Sequence, residues 1–184
     1  MTKHLLVFFF ENRAFDHYFG CANLPGVDGL TNGMGVYKDP KRPELGFLNA
    51  TCGHAQYVPQ TDESHSFRST TQDVFAPAHT SGAAAPYPPA TMGGYGLTTH
   101  GTSMDAFAPE QIPVKSALAR EFGIFNNWYA SFPGPSQPNH MFAQAATSCG
   151  VTETGIPWSK CGGMLPLFPC KTIYDSLAEA NVDF

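Results

Sequence analysis

Basic charge is scarce in this sequence: ten lysines and arginines stand against fifteen aspartates and glutamates, a formal net charge of −5 over 184 residues. That balance supplies no electrostatic footprint for nucleic acid or for an anionic membrane surface, so any phosphate chemistry has to be local. Long apolar runs are also missing. The longest, residues 5–10 (LLVFFF), falls far short of the roughly 20 residues a membrane helix needs, so no transmembrane segment is expected. It is followed by no small-residue cleavage site, and only Met1-Thr2-Lys3-His4 precede it, which leaves localisation open. No CxxC spacing occurs among the five cysteines (Cys21, Cys52, Cys149, Cys161, Cys170), so neither a zinc site nor a full disulfide framework is signalled. A Cys161–Cys170 loop and the sequon Asn49-Ala50-Thr51 would suit an oxidising compartment, while idle thiols and a chance tripeptide account for them equally well. No internal repeat is visible.

What is present is enough apolar material, 42% of residues, for one core of ordinary size. Eighteen glycines and sixteen prolines, many between Pro25 and Pro113, predict long ordered loops through the middle of the chain. Residues 82–96 (GAAAPYPPATMGGYG) form the expected flexible loop, because Pro and Gly dominate and no hydrophobic period survives. Residues 5–10 read as a strand buried on both faces, as in a parallel sheet covered by helices. A helix is predicted from Ile112-Pro113-Val114 to about Phe122, with Val114, Ala117, Leu118 and Phe122 on its inner face. Residues 124–132 (IFNNWYASF) read as a second strand, and Pro133-Gly134-Pro135 turns into a helix starting at Ser136, with Met141, Phe142, Ala145 and Ala146 inward. Residues 171–180 form a short amphipathic helix, and residues 181–184 resemble the start of another strand.

That rhythm is α/β with a parallel sheet, a fold whose ligands sit at the carboxyl ends of strands. Glu11 and Asn12 stand at such an exit. A carboxylate and an amide oxygen side by side are hard donors suited to a divalent cation, although a Glu-Asn pair after a strand is also a common turn or cap. Ser136 has two readings as well. It caps the helix that follows the Pro-Gly-Pro turn, or it is a nucleophile stabilised by the free N–H groups of that helix and a nearby metal.

The run Glu11-Asn12-Arg13-Ala14-Phe15-Asp16-His17-Tyr18-Phe19-Gly20 closely resembles the ENRSFDHYFG opening of the phosphoesterase family that contains bacterial phospholipases C, acid phosphatase A-type enzymes and plant non-specific phospholipases C. Asp62-Glu63-Ser64-His65-Ser66-Phe67 resembles its D-P-x-H-S-F segment. Met104-Asp105-Ala106-Phe107 and the stretch through Leu118-Ala119-Arg120-Glu121-Phe122 resemble the plant-type version in particular. Trp128-Tyr129-Ala130-Ser131, Ser136-Gln137-Pro138-Asn139-His140 and Thr147-Ser148-Cys149-Gly150 resemble the family's W-F-A-S, [ST]-x-P-N-R and T-S-x-G landmarks. Lys171-Thr172-Ile173-Tyr174-Asp175-Ser176-Leu177 resembles its T-I-F-D-x-L helix.

The resemblance implies an alkaline-phosphatase-like parallel-sheet core with helices on both faces. It implies Glu11, Asn12 and Ser136 as ligands of a divalent metal ion, and Ser136 as the nucleophile of a phospho-enzyme intermediate. His65 would donate to a phosphate oxygen or protonate a leaving group, or else be structural. Asn139 would orient the phosphoryl group or bond the first helical turn, and Asp16 and His17 would anchor the turn after the strand. The expected substrate is a phospholipid or another phosphate ester, with peripheral membrane contact allowed. The same scaffold admits a phosphomonoesterase.

Two departures stand out: His140 replaces the family's usual Arg, and Asn126 falls where relatives often carry Asp. The family's later acidic pair and His-Gly-Gly segment, which supply further metal ligands, have no counterpart in residues 1–184. The chain is therefore expected to be the N-terminal part of a single domain, and a non-catalytic fragment is the alternative of another class.

Overall fold

The computed structural model describes residues 4–31, 33–59, 62–76, 87–98, 102–155 and 168–184. The first helix, α1 (Phe15–Phe19), begins five residues past the apolar run and ends where Gly20 N–H returns to Asp16 O at 2.9 Å. Strands β1 (Gly35–Tyr37) and β2 (Phe47–Asn49) pair antiparallel, with Val36 opposite Leu48. Strand β3 (Thr51–Cys52) pairs in parallel with β4 (Asp105–Ala106), and the Thr51 hydroxyl donates to Asp105 Oδ1 at 2.6 Å across that pair.

Between them lie α2 (Phe67–Phe75) and the short α3 (Tyr95–Thr98). Ser66 caps α2 by accepting from Ser69 N–H, which satisfies one of the helix's orphan donors. Gly94 has no room for a side chain, since a Cβ there would come within 2.3 Å of Asp73 Cα. That close approach seats residues 93–96 of the expected loop against α2, while residues 82–86 lie outside the described residues.

Three further helices follow: α4 (Pro113–Glu121), α5 (Ser136–Ala145) and α6 (Ile173–Glu179). Pro at the first position of α4 fits the sequence expectation, because the ring presets φ and the missing N–H would be unbonded anyway. Thr172 and Asp175 form a reciprocal capping box at the start of α6.

The core is small and centred on Phe107, with Ala55 and Ile112 buried beside it and Tyr18 packed against it. Tyr18, Tyr57 and His17 bring their rings to within 5.8, 5.5 and 5.3 Å of Phe107, and the Arg13 guanidinium sits 5.3 Å from the same ring. Phe107 N–H donates to His17 O at 2.9 Å, so α1 is fastened to the end of β4 by backbone and side chain together. His17 thereby ties α1 to the end of β4, while Asp16 accepts from Gly20 N–H through its backbone carbonyl.

The mixed α/β class holds, with small sheets that include one parallel pair. Residues 5–10 form no strand pairing among the described residues and stand 54–85% exposed. Residues 124–132 likewise form no strand, with Phe125, Trp128 and Tyr129 at 72%, 77% and 77% exposed. Each was expected to be a neighbour in a larger parallel sheet. With neither in a ladder, their backbone groups turn to solvent and their apolar side chains lose the layer that would bury them. Residues 181–184 form no strand.

The face of α4 is also corrected. Val114, Leu118 and Phe122 are exposed, and the helix is tied down through the opposite side, where buried Ser116 donates to Pro109 O at 3.0 Å. Two disulfides are formed, Cys21–Cys52 and Cys149–Cys170. The expected partner of Cys170, Cys161, lies outside the described residues, and Cys149 takes its place. No helix among the described residues is long and apolar enough to cross a membrane.

Candidate functional site

Glu11 is the last residue of the N-terminal stretch and His140 lies in α5, 129 residues later, yet Glu11 Oε2 and His140 Nε2 are 2.9 Å apart. Phe9, two residues before Glu11, places its ring 5.1 Å from the His140 imidazole and closes the same junction. Hydrogen bonds from His140 and from the Ser136 hydroxyl hold the Glu11 carboxyl below the usual glutamate range, with the His140 bond the larger cause. The positive field of His140 and His65 acts in the same direction. Thus Glu11, Ser136 and His140 are brought together across 129 residues, while His65 acts on Glu11 through its charge alone.

Ser136 occupies the first position of α5, and Pro135 is the N-cap, with no side-chain cap bond. The capping role open to Ser136 on sequence grounds is therefore not the one its hydroxyl fulfils; it faces Glu11 instead. The expected ring of helix donors is also thinner than a helix start normally offers. Pro135 and Pro138 have no N–H, and Gln137 N–H donates to Thr154 Oγ1 at 3.4 Å, which leaves Ser136 N–H as the main-chain donor of that turn.

Asn139 uses its side chain on the turn itself. Its Oδ1 accepts from Phe132 N–H at 3.1 Å, and its Nδ2 donates to Phe132 O, Gly134 O and Pro135 O at 2.9, 3.3 and 3.1 Å. Four bonds lock residues 132–135, the bend just before the helix, in the shape that presents Ser136. The first helical turn is further pinned by fully buried Pro138 and by Gly155 N–H donating to Gln137 Oε1 at 2.7 Å.

Asn12 sits in the left-handed region at φ 65°, a conformation Asn adopts more readily than most residues. This reverses the chain between Glu11 and Arg13. The Arg13 guanidinium then donates to Gln56 O and Tyr57 O at 2.8 and 3.2 Å and bonds the His17 ring at 3.0 Å. It is a structural clamp, and together with burial it holds the His17 imidazole below its ordinary range. Asn126, the second departure noted in the sequence, accepts from Asp28 N–H at 3.1 Å through Oδ1, a bond a carboxylate could also make.

His65 is exposed, with Nε2 3.1 Å from Asp62 Oδ1. It lines a cavity of about 410 Å³ whose wall also includes Asn12, Arg13, Glu63, Tyr95 and Ser103. Asn12, next to Glu11 in the chain, and His65 both line this half-open cavity. Sequence reasoning pointed to Glu11, Ser136 and His65. It saw His140 only as a replacement for Arg and passed over Glu63, although a second carboxylate beside a motif His was a visible signal.

The donor set fits a hard divalent cation in part. Glu11 offers a carboxylate with two oxygens and Ser136 a hydroxyl, and both are oxygen ligands of the right type, brought together. Among the described residues no group of three or more His, Cys, Asp or Glu side chains is placed to share a metal ion, so these residues make an incomplete set.

Comparison with known proteins agrees with the sequence landmarks. The family model of the Phosphoesterase family matches residues 2–184, and the chain belongs to that family. It is 34% identical over 188 residues to non-specific phospholipase C6 of Arabidopsis thaliana, and 34% identical over 193 residues to non-specific phospholipase C5 of the same plant. It is 26% identical over 206 residues to phospholipase C A of Mycobacterium tuberculosis. Each match covers 99% of this chain but only 34–36% of the relative, so the chain spans about a third of the length of these proteins.

Proposed function

We propose that this chain carries the nucleophile half of a phosphoric-ester hydrolase that cleaves phospholipids in the manner of a phospholipase C, releasing diacylglycerol, through a phosphoseryl intermediate on Ser136. The observation that carries the reading is the meeting of Glu11 with the Ser136 hydroxyl at the start of α5. The names of the relatives support the substrate class.

Ser136 Oγ attacks phosphorus while its proton passes to the Glu11 carboxylate it already faces. The bond to the departing alcohol breaks, and Ser136 N–H and His65 hold phosphoryl oxygens where charge develops. Water then attacks the phosphoseryl ester, and Oγ recovers its proton from Glu11. Asn139 acts by fixing the bend that aims Ser136. A divalent metal held by Glu11, Asn12 and Ser136, with ligands from outside residues 1–184, would lower the hydroxyl pKa and neutralise phosphoryl charge. In the whole protein, residues 5–10 and 124–132 become strands of an alkaline-phosphatase-like parallel sheet, a reading supported by their apolar composition and by the length of the relatives. Peripheral membrane contact follows from a lipid substrate, and co-sedimentation with phospholipid vesicles checks it; a protein that stays in the supernatant while hydrolysing soluble diesters argues against it.

In the full-length protein, Ser136→Ala is expected to lower turnover of a phosphodiester by about 10⁴-fold or more with the fold retained. Glu11→Gln is expected to weaken both metal affinity and rate. A Ser136→Ala variant as active as its parent overturns the assignment. Faster hydrolysis of a phosphomonoester than of a phosphodiester by the parent would move the reading to a phosphatase.

A further inference from the structure

The cavity beside Asn12 contains a carboxyl group that the proposed chemistry leaves unused. Glu63 lies in its wall two residues before His65, at a position where the resembling family motif carries Pro. It is half-buried and hydrogen-bonded to the Ser103 hydroxyl, which lines the same cavity. Behind it, in α2, Asp73 is 3% exposed, and its side chain has no hydrogen-bond or ion-pair partner among the described residues.

We infer that Glu63 is the acid that protonates the departing alcohol oxygen of the bound ester, an assignment that rests on the function proposed above. An ester whose phosphorus faces Ser136 directs its leaving oxygen away from that hydroxyl. The half-open cavity lined by Asn12, His65 and Glu63 is where the alcohol is received. Glu63 shares the cavity wall with His65 and with Asn12, the neighbour of Glu11 in the chain. His65 itself is exposed and bonded to Asp62, whereas Glu63 is half-buried.

Burial first, and then the Asp73 charge, push the Glu63 carboxyl above the usual glutamate range, the direction that suits an acid. His65 and the Ser103 hydroxyl pull the other way, and Asp62 adds to the rise. Tyr95 faces Glu63 from α3 and is itself held neutral by burial and by Asp73 and Glu63. Across the cavity stand Arg13 and His17 with Asp16 and Asp105.

As Oγ–P forms, the P–O bond to the alcohol breaks, its electron pair goes to the alcohol oxygen, and that oxygen takes the Glu63 proton. The carboxylate so formed removes a proton from the water that attacks the phosphoseryl ester, which returns Glu63 to its acid form.

The test compares two esters of one phosphorylated headgroup in the full-length protein, a short-chain diacylglycerol ester and a 4-nitrophenyl ester whose leaving group needs no proton. Glu63→Gln is expected to cost about 10²-fold more in kcat on the diacylglycerol ester than on the nitrophenyl ester, and Glu63→Asp to recover part of the loss. Equal losses on both esters, or none, overturn the assignment. The parent alone supplies a second reading that needs no variant. Its kcat should fall at high pH with a group titrating above the ordinary glutamate range on the diacylglycerol ester only, and identical profiles on both esters overturn the assignment. A parent inactive on both esters, or a Ser136→Ala variant as active as its parent, removes the proposed function and this assignment with it; the leaving-group comparison removes this assignment alone.

Discussion

His140 bonds Glu11 at 2.9 Å, and His140 first, then the Ser136 hydroxyl, hold the carboxyl below the usual glutamate range. The exchange of the family's usual Arg for His therefore leaves an imidazole against the carboxylate in place of a guanidinium. In His140→Ala the Glu11 carboxyl should titrate at higher pH, closer to an ordinary glutamate, as followed by carbonyl-carbon NMR. An unmoved titration would show that His140 is not what holds the group down. A depressed carboxyl stabilises the fold above its unfolded pKa, and that contribution is lost as pH falls through the folded value. Because Glu11 is about half exposed, with its side chain at 48%, solvent screening keeps the contribution small. Glu11 and Ser136 were legible as candidates because hard oxygen donors and a hydroxyl after a Pro-Gly-Pro turn have a chemical use. The side-chain bonds that turn Asn139 toward residues 132–135 were not, since one short sequence pattern serves both a phosphate and a backbone turn.

Among the elements, α2 shows how local sequence and packing can pull apart. Its start is set by Ser66, while its buried face carries Thr71 and Asp73 where apolar residues would be expected. Thr71 is satisfied by donating to Phe67 O at 2.7 Å, but the Asp73 carboxyl has no such relief, and burial raises its pKa. A raised carboxyl binds its proton more tightly in the folded state. Its cost is absent below the unfolded pKa, grows as pH rises toward the folded pKa and is complete above it. Asp73→Asn is thus expected to stabilise the protein at neutral pH by about 1 kcal/mol or more, with the gain fading below the ordinary aspartate range. Urea unfolding at two pH values measures this, and a variant less stable than its parent at neutral pH contradicts it. The helices at 113–121, 136–145 and 173–179 were legible from Pro, Gly and capping residues, which act locally. The strands expected at 5–10 and 124–132 were not realised, because a strand exists only with a neighbour and sequence pattern cannot supply one.

At the scale of the whole molecule, a small aromatic core around Phe107 is helped by covalent ties. The Cys21–Cys52 disulfide joins the segment after α1 to β3 across 31 residues, next to the β3–β4 pair. Replacing both cysteines with serine should cost about 3–4 kcal/mol, read as a lower denaturation midpoint, and an unchanged midpoint would show that the bond adds nothing. The odd cysteine count concealed this pairing: parity leaves one thiol over, and spacing does not say which. The apolar run 5–10 and the aromatics near 125–129 are left as exposed apolar surface. They explain why the class of fold was legible while its full sheet was not. The most direct test of the account is to quench the full-length protein during turnover of a phosphorus-labelled diester and map the covalent label by peptide. The label is expected on the peptide containing Ser136 and absent from Ser136→Ala. Stable labelling at another residue, or rapid turnover with no label trapped at any time, would contradict it.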